Sequence, residues 1–188
     1  MPENLHKLFV ISSPSGGGKT SLINKLFEDS RSANFEKSIS DTSRQKRQGD
    51  LEGKDYYFLS EKDFKDKIKK EEYVEYATVF GNFYGTSKEE IKTKYNNSNL
   101  ILELDWQGAY AVKELFDDAK LIFLLPPSLD DLKQRLIKRN LDSSEAIENR
   151  LSEAKKEISK SEMYDYLVLN DDFDKAFEDL SQILFEGI

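Results

Sequence analysis

The sequence has no cysteine and a single histidine, His6. Disulfides and thiolate metal centres are therefore excluded, and one imidazole cannot build a histidine-rich metal site or supply the usual catalytic base. Long apolar runs are missing as well. The longest aliphatic stretch, Leu121 to Leu125, is far too short to span a bilayer, and the start Met1-Pro2-Glu3-Asn4 lacks the basic residues of a secretory signal. The expectation is a cytoplasmic protein with no membrane association. Positive charge is in the minority: 28 Lys and Arg face 36 Asp and Glu, a net charge of −8, which argues against a nucleic-acid partner. Any polyanion must bind at local basic spots, and chemistry must rest on Lys, Arg, Asp, Glu and the backbone. With 38% apolar residues and 12% aromatics, the 188-residue chain is expected to fold as one domain around one substantial core.

What is present is an alternation of short apolar strands and amphipathic helices. Lys7 to Ser12 reads as a buried strand, followed by a glycine cluster and a helix from Thr20 to Glu28 with Leu22, Ile23, Leu26 and Phe27 on one face. Asn99 to Asp105 and Lys120 to Leu125 read the same way, the first followed by a helix from Gly108 to Phe116 and the second closed by Pro126-Pro127. Ser128 and Asp131 suggest an N-cap for a helix from Leu129 to Arg139, and Ser144 opens another to about Met163 across a polar hinge. Asp165 to Asn170 and Phe173 to Phe185 supply a last strand and a last helix. This order predicts an α/β protein with a parallel sheet covered on both faces. From about Ser38 to Gly85 the rhythm breaks into Tyr-, Phe- and charge-rich runs such as Tyr73 to Phe80, which predict an inserted subdomain. Ser87 and Glu90 then form a capping-box pair that returns the chain to the main body.

The segment Ser13-Pro14-Ser15-Gly16-Gly17-Gly18-Lys19-Thr20 lies between a strand and a helix, as a phosphate-binding loop requires. Three consecutive glycines let backbone N–H groups turn around a phosphate at the positive end of the helix. Lys19 would reach the β- and γ-phosphates and the Thr20 hydroxyl would ligate Mg²⁺. Ser13 stands where the consensus has glycine. Asp105, ending a buried strand, either sits near that metal or caps the next turn. Arg44, Lys46 and Arg47 form a basic cluster that suits a second anion, or simply a solvated loop. An acceptor that is itself a phosphate needs no base, in keeping with the near absence of histidine. Arg135, Arg139 and Arg150 either decorate a salt-bridged helical surface or belong to a lid over the transferring phosphoryl group.

With these features in place the chain resembles guanylate kinase from about Leu5 to Glu186, through SSPSGGGKTSL, SISDTSRQKRQGDLEGKDYYF, EYATVFGNFYGTS, ILELDWQG, LIFLLPPS and LNDDFDKA. The resemblance implies a single domain over residues 5–187 with a P-loop NTPase-type core and a five-stranded parallel sheet flanked by helices (about 5–37, 86–126 and 157–187). It adds an NMP-binding subdomain (about 38–85) and a helical lid (about 127–156). It implies transfer of the γ-phosphoryl group of ATP to GMP, and to deoxy-GMP, with Mg²⁺, in purine nucleotide metabolism. ATP would be held by Ser13 to Thr20 and Asn170. Arg44, Arg47, Tyr56 and Tyr84 would hold the GMP phosphate, and Ser40, Glu75, Thr86 and Asp105 would surround the guanine. Lys19, Arg44, Arg135, Arg139 and Arg150 would act on the phosphoryl group. Glu75 suits guanine chemically: a carboxylate accepts from N1–H and the exocyclic amine together, whereas adenine has no donor at N1. Asp41, Lys46 and Asp50 are unusual for their positions in that family. The rival reading is a guanylate-kinase-like interaction module without catalysis, against which an intact Lys19, Arg44, Arg47 and Asp105 argue.

Overall fold

The computed structural model describes residues 6–79, 81–138 and 144–187. The main sheet is built from β1 (Leu8–Ser12), β2 (Phe35–Lys37), β7 (Asn99–Glu103), β8 (Lys120–Leu125) and β9 (Tyr166–Leu169), in the spatial order β2-β7-β1-β8-β9 and parallel throughout. Every residue of β1 is buried because side chains alternate between two cores. Leu8 and Val10 join Leu100, Leu102, Leu121 and Phe123 on one face. Phe9 and Ile11 join Ile101, Ile122 and Val168 on the other, against α1 (Lys19–Glu28) and α7 (Phe173–Ser181). The first face is covered by α3 (Lys88–Tyr95) and α4 (Trp106–Leu115). Among the described residues, no helix is long and apolar enough to cross a membrane.

The break in rhythm is a second, four-stranded sheet in the order β4-β3-β6-β5, formed by β3 (Asp41–Thr42), β4 (Tyr57–Phe58), β5 (Tyr73–Val79) and β6 (Asn82–Ser87). Its helix α2 (Glu61–Lys69) inserts Phe64 between the rings of Tyr73 and Phe83, at 4.5 and 5.3 Å. Asp41 is buried here. It accepts from the Tyr73 hydroxyl at 2.8 Å and from Lys67 at 2.5 Å, tying β3 to β5 and α2. Its unusual identity thus serves a buried ion pair, and Lys46 lies over the Phe58 ring.

Several expectations shift. The helix expected to run from Ser144 to Met163 is α6, Ser144–Ile158; Ser161–Met163 is a separate 3₁₀ turn. Phe27 leaves the α1 stripe and is 36% exposed, whereas Leu22, Ile23 and Leu26 are buried. The strands read to Asp105 and Asn170 stop at Glu103 and Leu169, because Asp105 caps the following helix and Asn170 turns toward the phosphate loop. The Ser87 hydroxyl accepts from Glu90 N–H at 3.1 Å, but Glu90 does not return the bond. Its carboxylate accepts from Ile39 N–H at 2.8 Å and pairs with Lys94 instead, fastening α3 to the start of the insert. α5 (Leu129–Lys138) begins with the expected Ser128 cap, whose hydroxyl accepts from Asp131 N–H. The expected helix end at Arg139 and the hinge at Asn140 lie outside the described residues.

Candidate active site

The phosphate loop follows β1 directly. Gly17 N–H donates to Pro14 O at 2.8 Å, and Gly18 caps α1 in the left-handed region, φ +94°. A side chain there would fail twice: the backbone is strained for L-residues, and a Cβ would stand 2.4 Å from Asn170 Nδ2. That contact exists because Asn170, buried at the end of β9, donates from Nδ2 to Gly17 O at 2.7 Å. The Asn170 N–H donates to Leu125 O, and its carbonyl accepts from Arg135 Nη2 at 2.8 Å. One residue, through its side chain and its backbone, thus links the loop, two strand ends and α5. Residues 13–21 line a concavity of about 230 Å³. Beside it a cavity of about 370 Å³ is bordered by Gly16, Gly18, Ser21, Arg135, Asn170 and Phe173. Ser13 keeps its hydroxyl on Pro14 O at 3.2 Å.

Lys19 is half-buried, with its ammonium 3.5 Å from Leu104 O. Burial pushes its pKa down, and Glu103, Glu157 and Asp105 oppose the shift. Thr20 is exposed in the first turn of α1. Of the three arginines of the helical pair, Arg135 rests on Asn170, and Arg150 donates to the Ser15 hydroxyl at 3.0 Å; Arg139 lies outside the described residues.

The residues expected on the acceptor side are assembled by the insert. The Arg44 guanidinium pairs with Asp50 at 2.9 Å and lies 5.4 Å from the Tyr56 ring centre, while Tyr56 meets Tyr84 edge-on at 5.7 Å. Asp50 also accepts from Arg47 N–H at 2.7 Å. These bonds, the backbone one first, hold the Asp50 carboxyl below its usual range, and the Asp50 contact raises Arg44. Asp50 therefore anchors the Arg44 guanidinium and the backbone at Arg47, a role the sequence left open. Arg47 itself is exposed.

Ser40, Glu75 and Thr86 converge. β5 and β6 pair Glu75 with Thr86, whose hydroxyl bonds the Glu75 carboxylate and lies 3.4 Å from Ser40 Oγ. Glu75 packs against α4 where Gly108 leaves room; a Cβ there would be 3.0 Å from Glu75 Cγ. Burial raises the Glu75 pKa, the Thr86 bond opposes, and Asp105 adds to the rise. Asp105 does cap α4, accepting from Gly108 N–H at 2.9 Å, and its charge still reaches Glu75, Lys19 and Glu157. The donor and acceptor sides share electrostatic neighbours: Lys37 and Glu103, an ion pair, act on both Lys19 and Tyr56. Glu157 is the residue that sequence reasoning missed. It sits seven residues, two helical turns, beyond Arg150, so the signal was its placement on the same face of α6.

The arrangement matches known proteins over nearly its whole length. The guanylate kinase family model matches residues 5–187. The chain is 46% identical to the guanylate kinase of Wolbachia sp. subsp. Brugia malayi over 97% of this chain and 93% of that protein. It is 48% identical to that of Hahella chejuensis, over 94% and 85%. The crystal structure of guanylate kinase from Anaplasma phagocytophilum superposes with a TM-score of 0.74 at 34% identity, covering 98% of this chain and 87% of that one.

Proposed function

The chain belongs to the guanylate kinase family, and from that premise we propose how its residues divide the work of moving the γ-phosphoryl group of ATP to GMP. It is a nucleoside-monophosphate kinase that yields ADP and GDP. The observation that carries the division of labour is that two anion cradles are separately braced: the loop at Lys19 by Asn170, and the Arg44–Tyr56–Tyr84 cluster by Asp50. Backbone N–H groups of residues 13–20 and the end of α1 receive the donor phosphates, with Asn170 holding the loop in shape. Lys19 and Arg150 follow the transferring group, offsetting charge where it accumulates, and Arg135 braces the loop through Asn170. By family resemblance Arg139 acts on the same group. Arg44 and Arg47, with the Tyr56 and Tyr84 hydroxyls, hold the GMP phosphate, which is already an anionic nucleophile and needs no base. Ser40, Glu75, Thr86 and Asp105 read guanine.

Magnesium fits this donor set. Among the described residues no group of three or more His, Cys, Asp or Glu forms a cage, which suits an ion held by phosphates, water and one hydroxyl rather than by protein alone. Thr20 would hold it, and the ion would neutralise charge on the bridging phosphate oxygens. Residues 38–85 act as the NMP-binding subdomain, 127–156 as the lid, and the rest as the core. Deoxy-GMP is a second acceptor, and the enzyme works in the cytoplasm.

A coupled assay offering GMP, AMP, UMP and dTMP with ATP and Mg²⁺ tests this reading. Turnover of GMP is expected to exceed the others by orders of magnitude, and no turnover of GMP would overturn it.

A further inference from the structure

β5 departs from strict alternation between Tyr73 and Glu75, and the departure decides where Glu75 faces. Opposite β6, Tyr73 pairs with Ser87 and Glu75 with Thr86, so two steps along β5 answer one step along β6, and Val74 is the extra residue of a β-bulge. In a regular strand Tyr73 and Glu75 would lie on the same face. The bulge puts them on opposite faces. Tyr73 stacks on Phe64 of α2, whereas Glu75 turns to Thr86 and to Gly108 of α4.

The same three strands, β3, β6 and β5, are tied on both faces. On the pocket face Ser40, Thr86 and Glu75 stand side by side. On the α2 face the Tyr73 hydroxyl donates to the buried Asp41 carboxylate at 2.8 Å, and Lys67 donates to the same oxygen. β3 and β5 are not neighbours in the sheet, so this bond reaches over β6. It does so beside Gly85, the partner of Asp41, where an added Cβ would stand 3.0 Å from Tyr76 Cβ and 3.1 Å from Phe64 Cζ. Burial first, then the Asp41 bond, pushes the Tyr73 pKa up, so the hydroxyl keeps its proton and stays a donor. We propose that Asp41 and Tyr73 are positioning residues: their bond over β6 holds the bulge at Val74 and so aims Glu75, beside Ser40 and Thr86, at the guanine edge. This rests on the assignment of guanine to the Glu75 pocket.

The test measures kcat/KM for GMP and for inosine monophosphate, which keeps the N1–H of guanine but lacks its exocyclic amine. It uses the full chain, Tyr73→Phe, Asp41→Asn, Asp41→Ala, Glu75→Gln and the double variant Tyr73→Phe/Glu75→Gln. A hydrogen bond to a charged group predicts a preference for GMP of about tenfold or more in the unaltered enzyme. Tyr73→Phe, which removes the hydroxyl and keeps the ring, should cut that preference by about threefold or more, chiefly through the GMP KM. Asp41→Asn keeps an acceptor for Tyr73 and should retain more of the preference than Asp41→Ala. In the Glu75→Gln background Tyr73→Phe should not move the ratio further, because the group it aims is already gone. Each ratio is taken on one preparation, so a loss of folded enzyme cancels. A preference that Glu75→Gln lowers and Tyr73→Phe leaves unchanged, or additive losses in the double variant, would overturn the proposal while the guanine assignment stands. A preference absent from the unaltered enzyme, or unmoved by Glu75→Gln, would overturn the guanine assignment and the proposal with it.

Discussion

The proposed donor loop and the proposed acceptor pocket are both cradles for phosphate, but they are made of different material. The loop uses eight consecutive residues and mostly backbone N–H groups, so its geometry follows from glycine, a strand before it and a helix after it. The acceptor pocket uses side chains from Ser40, Arg44, Tyr56, Glu75, Tyr84 and Thr86, brought together only when two short strands, a hairpin and α2 pack around Phe64. Consecutive backbone donors tolerate changes of side chain except where a Cβ collides or a charge is lost. A pocket of dispersed side chains depends on its supports, and in this protein those supports are acids: Asp50 beneath the arginines and Asp41 within the subdomain core.

The contrast can be broken most forcefully at Lys19. Lys19→Ala should lower kcat by about 10²–10³ with every acceptor, as expected for loss of a charge that acts on the transferring group. A steady-state assay showing a selective loss with GMP alone would place Lys19 on the acceptor side. Glu75→Gln comes next. It should cut discrimination between GMP and AMP by about 10² in kcat/KM while leaving the ATP KM within about twofold; a rise in ATP KM matching the loss on GMP would contradict the separation of the two sites. Asp50→Asn should raise the GMP KM by about tenfold without moving the ATP KM, because it frees Arg44 and Arg47 but touches nothing of the loop.

Gly18→Ala is the converse case, a one-atom addition on the donor side. Strain at φ +94° and the clash with Asn170 Nδ2 should cost about 1–3 kcal/mol of stability, read as a lower midpoint in urea, with ATP binding weakened more than GMP binding. The smallest effect concerns Glu157. A carboxyl whose folded pKa is about 7 against 4.5 binds more protons folded than unfolded, so its contribution to stability is fully present below about pH 4.5 and is lost as pH rises through 7. Glu157→Gln should remove that slope, stabilising the protein at pH 8 by about 1 kcal/mol once solvent screening is allowed for. Melting curves at pH 5 and pH 8 would show it as a difference between the two proteins that appears only at the higher pH.

Legibility followed the same division. Burial of the main sheet on both faces was readable because β1, β7 and β8 are continuous apolar runs, and the loop was readable as a contiguous motif. β2 was not, since three residues at a sheet edge, Phe35–Lys37, carry no periodicity. Nor was α2, where Phe64 is the one buried residue. The roles of Asp50 and Glu90 were hidden because their partners, Arg44 and Ile39, are chosen by chain reversals that periodicity does not record.

By itself the sequence determined the alternation of strand and helix, the phosphate loop, the dependence on Lys and Arg rather than His or Cys, and, through resemblance, the acceptor. These rest on local chemistry: residue type, spacing and period. Only the tertiary structure decided that Asn170 braces the loop, that Asp105 caps a helix while its field reaches three other charged side chains, and that one carboxylate oxygen of Glu157 is buried without a hydrogen-bond partner. Each of these depends on burial and on long-range contacts, which change the free energy of a charge or a hydrogen bond far more than its neighbours in sequence can.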